Sequence, residues 1–249
     1  MFADDNDLRY TESQGVPDGR LTLDDAYRLA HLPLVNPAHP DVIPRHNGTD
    51  YDMGRYDRAR ISLVAPVPYR HLGVSATFNR VLADLRASPL GGKIHWDSFE
   101  QRKDRLHLTI CGRLETKLSA PEIDAAIPVV ARHAAFRVRL GGPWIGSMNT
   151  GRIYLPVYPE RKGPEDSLRL VQRSLNWPES RLYVVGLWNL TDHLDMAETS
   201  ALQHFIARYS GEILSEILID ELHLTTTHDD MALSGQTRNV MKLQPIHRA

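Results

Sequence analysis

Two tripeptides in this 249-residue chain carry side chains suited to moving protons at a phosphate ester: His107-Leu108-Thr109 and His223-Leu224-Thr225. An imidazole titrates near neutrality and can give or take a proton. A threonine two positions along a strand points to the same side and offers its hydroxyl to a phosphoryl oxygen. In Arg105 to Gly112 (RLHLTICG), alternation puts His107 and Thr109 on one face and Leu106, Leu108 and Ile110 on the other. The apolar trio is expected to seat the strand on a core and present the polar pair opposite. Leu222 and Leu224 stand in the same relation to His223 and Thr225. Cys111 has the parity of His107 and Thr109, and it is read as a small strand residue in preference to a nucleophile.

The elements that must position these residues follow a regular order from residue 60 onward. Arg60 to Ala65 (RISLVA) alternates as a strand, and Val74, Phe78, Val81, Leu82 and Leu85 mark a helical face that Pro89 and Gly91-Gly92 end. After the strand holding His107, Ser119 and Glu122 form a capping-box pattern with Pro121 near the helix start. Phe136 to Leu140 closes this half as a strand. The second half repeats the order: strand Arg152 to Val157, a helix from Asp166, strand Arg181 to Trp188, a helix capped by Asp195 and Glu198, and a last strand from Ile217 to Thr226. RISLVAP beside RIYLPVY, and RLHLTICG beside RLYVVGLW, suggest an internal duplication with lobes at about 60–141 and 151–226. Residues 1–55 read as an N-terminal extension, proline-spaced, with one helix from Thr22 to His31, and residues 56–249 as the main domain.

Composition narrows the function classes. A net charge of −2 gives no basic field for long nucleic acid, which leaves a small phosphorylated ligand in a locally basic cleft. The single cysteine excludes both an intramolecular disulfide and a cysteine-based zinc module, and it fits a reducing cytoplasm. No stretch approaches ~18 consecutive apolar residues, and the acidic first residues do not resemble a secretory signal, so a soluble cytoplasmic protein without membrane partners is expected. His223, His228, Asp229 and Asp230 are metal-ligand types, but a continuous strand sends the two histidines to opposite faces, and only a turn at Thr227 would join them. No Gly-x-Ser-x-Gly elbow, Walker loop or Gly-x-Gly-x-x-Gly fingerprint occurs.

His-Leu-Thr-Ile at 107–110 and His-Leu-Thr-Thr at 223–226 resemble the paired His-x-Thr motifs of the 2H phosphoesterase superfamily, which includes RNA 2′,3′-cyclic phosphodiesterases and 2′-5′ RNA ligase-like proteins. The resemblance spans about residues 60–249. It implies a two-lobed, duplicated α+β fold with antiparallel sheets flanked by helices around a central cleft. It also implies general acid and base catalysis without metal or cofactor, on a small nucleotide or RNA-end substrate. Carried over, His107 and Thr109 are the first catalytic pair, and His223 and Thr225 are candidates for the second. The duplication instead aligns Tyr183 and Val185 with His107 and Thr109. Either the last strand supplies the second histidine, or that half has decayed to Tyr183-Val184-Val185 and the protein binds nucleotide or RNA without turnover. Arg152, Tyr154 and Tyr183 are candidates for substrate contact, and Trp144 for stacking a base or plugging a lobe.

Overall fold

A computed structural model describes residues 1–10 and 19–246. The architecture is α+β, with two larger antiparallel sheets, a two-stranded ribbon and helices packed on the sheets. The strands are β1 (Tyr51–Asp52), β2 (Arg55–Pro66), β3 (His107–Cys111), β4 (Phe136–Gly141), β5 (Arg152–Pro159), β6 (Arg161–Lys162), β7 (Glu165–Asp166), β8 (Val184–Asn189), β9 (Ile213–Ile219), β10 (Glu221–Asp229) and β11 (Gln236–Lys242). The helices are α1 (Asp25–Ala30), α2 (Leu32–Val35), α3 (Tyr69–Gly73), α4 (Ala76–Ala87), α5 (Trp96–Arg102), α6 (Ala120–Val130), α7 (Ser167–Ser174) and α8 (Met196–Tyr209). Among the described residues no helix is long and apolar enough to cross a membrane.

The local signals in the sequence set the helix starts. Ser119 with Glu122, and Asp195 with Glu198, form complete capping boxes at α6 and α8, and the Asp166 carboxylate accepts from the Arg169 amide at the start of α7. The N-terminal helix begins later than the sequence suggests. Asp24 is its cap, accepting from the Tyr27 amide at 2.7 Å, because a carboxylate there also meets the helix dipole.

The sheets do not follow the two halves of the chain. One sheet runs β1-β2-β10-β11, with β3 on the other edge of β2, and the second runs β8-β5-β4-β9. Each sheet therefore takes strands from both halves. The segment Ile217 to Thr226, which alternates as a single strand, is divided at Asp220. β9 ends at Ile219 against β4 of the second sheet, and β10 begins at Glu221 against β2 of the first. The Asp220 carbonyl accepts from the Leu243 amide as the chain changes sheets. This division puts His223 in the same sheet as His107, and not at the position matching Phe136 to Leu140.

A bulge decides the other important facing. Between Leu63 and Val64 the β2–β3 register slips: Val64 pairs with Thr109, whereas Leu63 pairs with Cys111. The extra residue, Ile110, reverses the alternation beyond it. Thr109 stays exposed, while Ile110 and Cys111 are both buried. Cys111 is thus in the core, where burial raises its thiol to about 12 and leaves no thiolate at neutral pH.

The N-terminal segment is built into the same core. Leu21, Leu23, Tyr27 and Leu32 are buried, and the Tyr27 hydroxyl donates to the Leu190 carbonyl at 2.6 Å. The Tyr10 hydroxyl bonds the Val157 and Tyr183 carbonyls of the second sheet, and the Trp144 indole N–H reaches the Tyr10 carbonyl. Trp144 is buried and packs edge-on to Tyr10, which makes it a plug.

Leu106, Leu108, Leu222 and Leu224 are all buried, as the alternation requires. Leu108→Ala should cost about 2–5 kcal/mol of unfolding free energy, read by urea denaturation, because a cavity would open under the strand that carries His107 and Thr109. A loss below ~0.5 kcal/mol, typical of surface sites, would show that β3 is not seated on the core.

Candidate active site

The strand β2 is the floor on which the two motifs are set. β3 lies on one side of it and β10 on the other. His107 pairs with Pro66, Thr109 and His223 both pair with Val64, and Thr225 pairs with Ser62. Thr109 and His223 consequently face each other across a single residue, about two strand spacings, or ~10 Å, apart at the backbone. His107, Thr109, His223 and Thr225 line one cavity of about 340 Å³, together with Ser62, Val64 and Pro66. A second cavity of about 380 Å³ lies between β3 and β8 and shares His107, Thr109, Gly112 and Asp230 with the first. The two are halves of one cleft divided by β3, and each is of ordinary small-ligand size.

Each histidine is held by an acceptor close in sequence. The His107 Nδ1 lies 2.8 Å from the Arg105 carbonyl, which fixes the proton on Nδ1 and leaves Nε2 with its lone pair. The His223 Nε2 lies 2.8 Å from Glu221 Oε1, and Lys242 pairs with the other oxygen of that carboxylate. Lys242 first, then His223, holds the Glu221 carboxyl below its ordinary value. Burial lowers the His107 imidazole to about 4. The Arg105 carbonyl opposes this by favouring the protonated ring, and the charges of Arg102, Arg152 and His223 add to the lowering. His107 is thereby neutral at physiological pH and equipped to accept a proton. The far wall of the first cavity is aromatic and charged: the Tyr51 and Tyr56 hydroxyls both donate to Asp230, and the Arg60 guanidinium stacks 3.4 Å from the centre of the Tyr56 ring.

The candidates from the second half are placed differently. Arg152 and Tyr154 line the cavity between β3 and β8. Tyr183 lines neither cavity; it is fully buried, with its hydroxyl donating to Gln172 Oε1 at 3.1 Å. The side of β8 facing the cleft carries Val184 and Gly186, with Leu182 just before the strand, so the segment aligned with β3 presents no titratable group there.

Two functional candidates were not visible in the sequence. Arg102, at the end of α5, is 2% exposed and donates from Nη2 to the Gly186 carbonyl at 2.9 Å. His31, between α1 and α2, accepts from Arg152 Nη1 at 2.8 Å, and burial keeps its imidazole neutral by lowering it well below the ordinary value. Helical burial of a charged residue in a short element leaves no periodic signal, and His31 belongs to a segment with no motif.

The residues His223, His228, Asp229 and Asp230 do not converge as metal ligands. β10 continues to Asp229, though its register against β2 shifts between Thr227 and Asp229, and the Asp229 carboxylate is taken by the amides of Met231, Leu233 and Ser234. Among the described residues the group with metal-ligand spacing is His39, Asp41 and His193, whose donor atoms lie within 4.8 Å of one another. It lines neither half of the cleft, and its His Nε2 atoms already bond Asp192 and Asp41.

No family model and no curated protein matches the chain. Among solved structures it is similar to a phosphoesterase, at 13% identity and a TM-score of 0.43 over 76% of this chain and 99% of that one. It is likewise similar to E. coli LigT in apo form, at 12% identity and a TM-score of 0.43 over 75% and 98% of the two chains. TT0787 of Thermus thermophilus gives 16% identity and a TM-score of 0.45 over 76% and 100%. LigT has also been crystallised with phosphate, NADP+, ATP and 3′-AMP.

The lowered His107 has a consequence for stability. Between pH 6.5, the ordinary value for an unfolded histidine, and about 4, the unfolded chain holds a proton that the folded site does not. Stability therefore rises with pH across this window and is lost as pH falls through it. Urea midpoints should drop from pH 6.5 to pH 4.5, and His107→Gln should flatten that slope. An unchanged slope would mean that His107 titrates alike in both states.

Proposed function

We propose that this protein is a metal-independent phosphoesterase of the 2H type, opening a 2′,3′-cyclic phosphate or a related 2′-linked nucleotide or RNA-end ester. The observation that carries the reading is the convergence of both His-Leu-Thr motifs on one cavity from the two strands that flank β2, each histidine backed by an acceptor. His107 Nε2 takes a proton from water as the new P–O bond forms. His223, oriented by Glu221, gives a proton to the ribose oxygen as the old P–O bond breaks, and the Thr109 and Thr225 hydroxyls hold the phosphoryl oxygens. Atoms and charge balance without a cofactor, and acid–base catalysis of this kind contributes about 10²–10⁴ in rate. A cytoplasmic setting fits a chain with a single, buried cysteine. Residues 1–55 contribute in this reading through His31, the buried acceptor that holds Arg152 from behind the cleft wall.

A second reading is favoured by one observation. The β8 side of the cleft presents Val184 and Gly186, after Leu182, where a duplicated motif would stand. Such a protein binds a nucleotide and does not turn it over.

Assays with a nucleoside 2′,3′-cyclic phosphate separate the two. His107→Ala and His223→Ala should each lower kcat by about 10²–10⁴, and chelators should leave the rate unchanged. The acid limb of kcat/KM, which reports the free protein, should lie near pH 4, where His107 titrates. The acid limb of kcat should move upward, because a bound phosphate anion favours the imidazolium. Nucleotide binding without hydrolysis from pH 5 to 9 would replace the enzyme reading with the binding one.

A further inference from the structure

Gly186 is the meeting point of two buried guanidinium groups. Arg102 reaches it from α5 and bonds its carbonyl. Arg152 reaches it from β5 and lies so close over its Cα that a Cβ there would collide with the guanidinium. Arg102 is 2% and Arg152 7% exposed. Among the described residues neither forms an ion pair with a carboxylate, and Arg102 Nε, Arg102 Nη1 and Arg152 Nε have no hydrogen-bond acceptor. The acceptors they do have are neutral: the Gly186 and Asp230 carbonyls and the His31 ring. Both side chains line the cavity between β3 and β8, with Thr109 on the opposite wall and Tyr154 beside them.

This arrangement is costly for the empty protein. A buried cation with no carboxylate paired directly to it loses its hydration, two side by side repel each other, and the nearby Asp229 charge offsets this only in part at Arg102. The strain is legible at Arg102, which burial, and then Arg152, lowers to about 9, still cationic at neutral pH. Converging donors with unmet hydrogen-bonding capacity match a tetrahedral oxyanion, which arginine forks bind in pairs.

We infer that the half of the cleft between β3 and β8 is a phosphate-binding subsite in which Arg102 and Arg152, seated on Gly186, grip the anion from one wall and Thr109 from the other. Its occupant is a phosphate group, either free or as the monoester of a nucleotide whose remaining part extends over β2 toward Tyr56. The guanidinium of Arg152 occupies the space over β8 that a side chain at position 186 would fill, so the arginine pair takes the place of a second polar motif on that strand. The inference concerns binding; the subsite shares His107 and Thr109 with the proposed catalytic site, while His223 and Thr225 lie outside it.

Calorimetry and thermal unfolding of the full chain with inorganic phosphate, with the 2′- and 3′-monophosphates of one nucleoside, and with the unphosphorylated nucleoside test it. Phosphate and both monophosphates should bind and raise the midpoint with concentration, and the nucleoside should not. Binding of phosphate alone, with no gain from the nucleoside, would assign the subsite to the free ion. Arg102→Met should weaken phosphate binding at least tenfold while leaving the midpoint of the free protein unchanged or higher, since it removes a buried charge that no carboxylate pairs directly. If Arg102 serves only to pin Gly186, the variant would unfold earlier and keep its response to phosphate, which overturns the inference. Should Arg102→Met not fold, Arg102→Lys carries the test. It keeps the charge without the fork, and unchanged phosphate affinity would overturn the inference equally. His223→Ala, which lies outside this subsite, should lower turnover by about 10²–10⁴ and leave phosphate binding within about threefold, so failure of the catalytic reading and failure of this one give different results.

Discussion

The backbone ladder on both edges of β2 is the interaction on which the rest of the molecule depends. Val64 lies between Thr109 on one neighbour and His223 on the other, and hydrogen bonds on each side hold that row in register. A slip of one residue on either edge would turn a histidine and its threonine into the core and expose the leucines between them. Burial of Leu108 and Leu224 opposes such a slip with the free energy of two full side chains, roughly 1.5–3 kcal/mol each. The polar face is therefore fixed by what lies beneath it, and the two acceptors, Arg105 and Glu221, then only need to orient rings that are already in place.

The second sheet contributes charge where the first contributes proton carriers. β5 brings Arg152, α5 brings Arg102, and the glycine in β8 gives the guanidinium groups room to lie against the backbone. The N-terminal segment closes this wall from behind, because His31 is the neutral acceptor for Arg152 and its ring stacks on Tyr27 at 5.1 Å. Positive charge on one side adds to the depression of the imidazole on the other: burial lowers His107 most, the arginines raise the cost of protonating it further, and an anion between them lowers that cost again.

The parts of this design that repeat or alternate locally were legible in the sequence. Both capping boxes, the strand around His107 and the burial of its leucines follow from residue types a few positions apart. The change of sheet at Asp220 was not, because Ile217 to Thr226 alternates without a break and nothing local distinguishes one partner sheet from another. For the same reason the duplication suggested two lobes, one from each half, whereas the sheets interleave the halves. The bulge at Ile110 defeated the simple parity that put Cys111 beside Thr109. Tyr183 matched His107 by alignment, yet the side of β8 that meets the cleft carries its neighbours, and the tyrosine points into the core. Arg102 carried no signal at all, since a charged residue ending a short helix reads as surface until its surroundings are known.

The ladder between β2 and β10 also sets an order of assembly. Val64 and His223 are 223 − 64 = 159 residues apart, whereas β2 meets β3 after an intervening stretch of about forty. Closing the shorter loop costs less chain entropy, and contacts of long separation form late. During synthesis the β2–β3 pair can form with one motif in place while the partner for its other edge is still unmade. That edge of β2 is an open template of unpaired amides and carbonyls until β10 arrives, the kind of surface that invites pairing with another chain. The strand that completes the cleft thus also seals the sheet, and a nascent chain short of β10 has neither a whole site nor a protected edge.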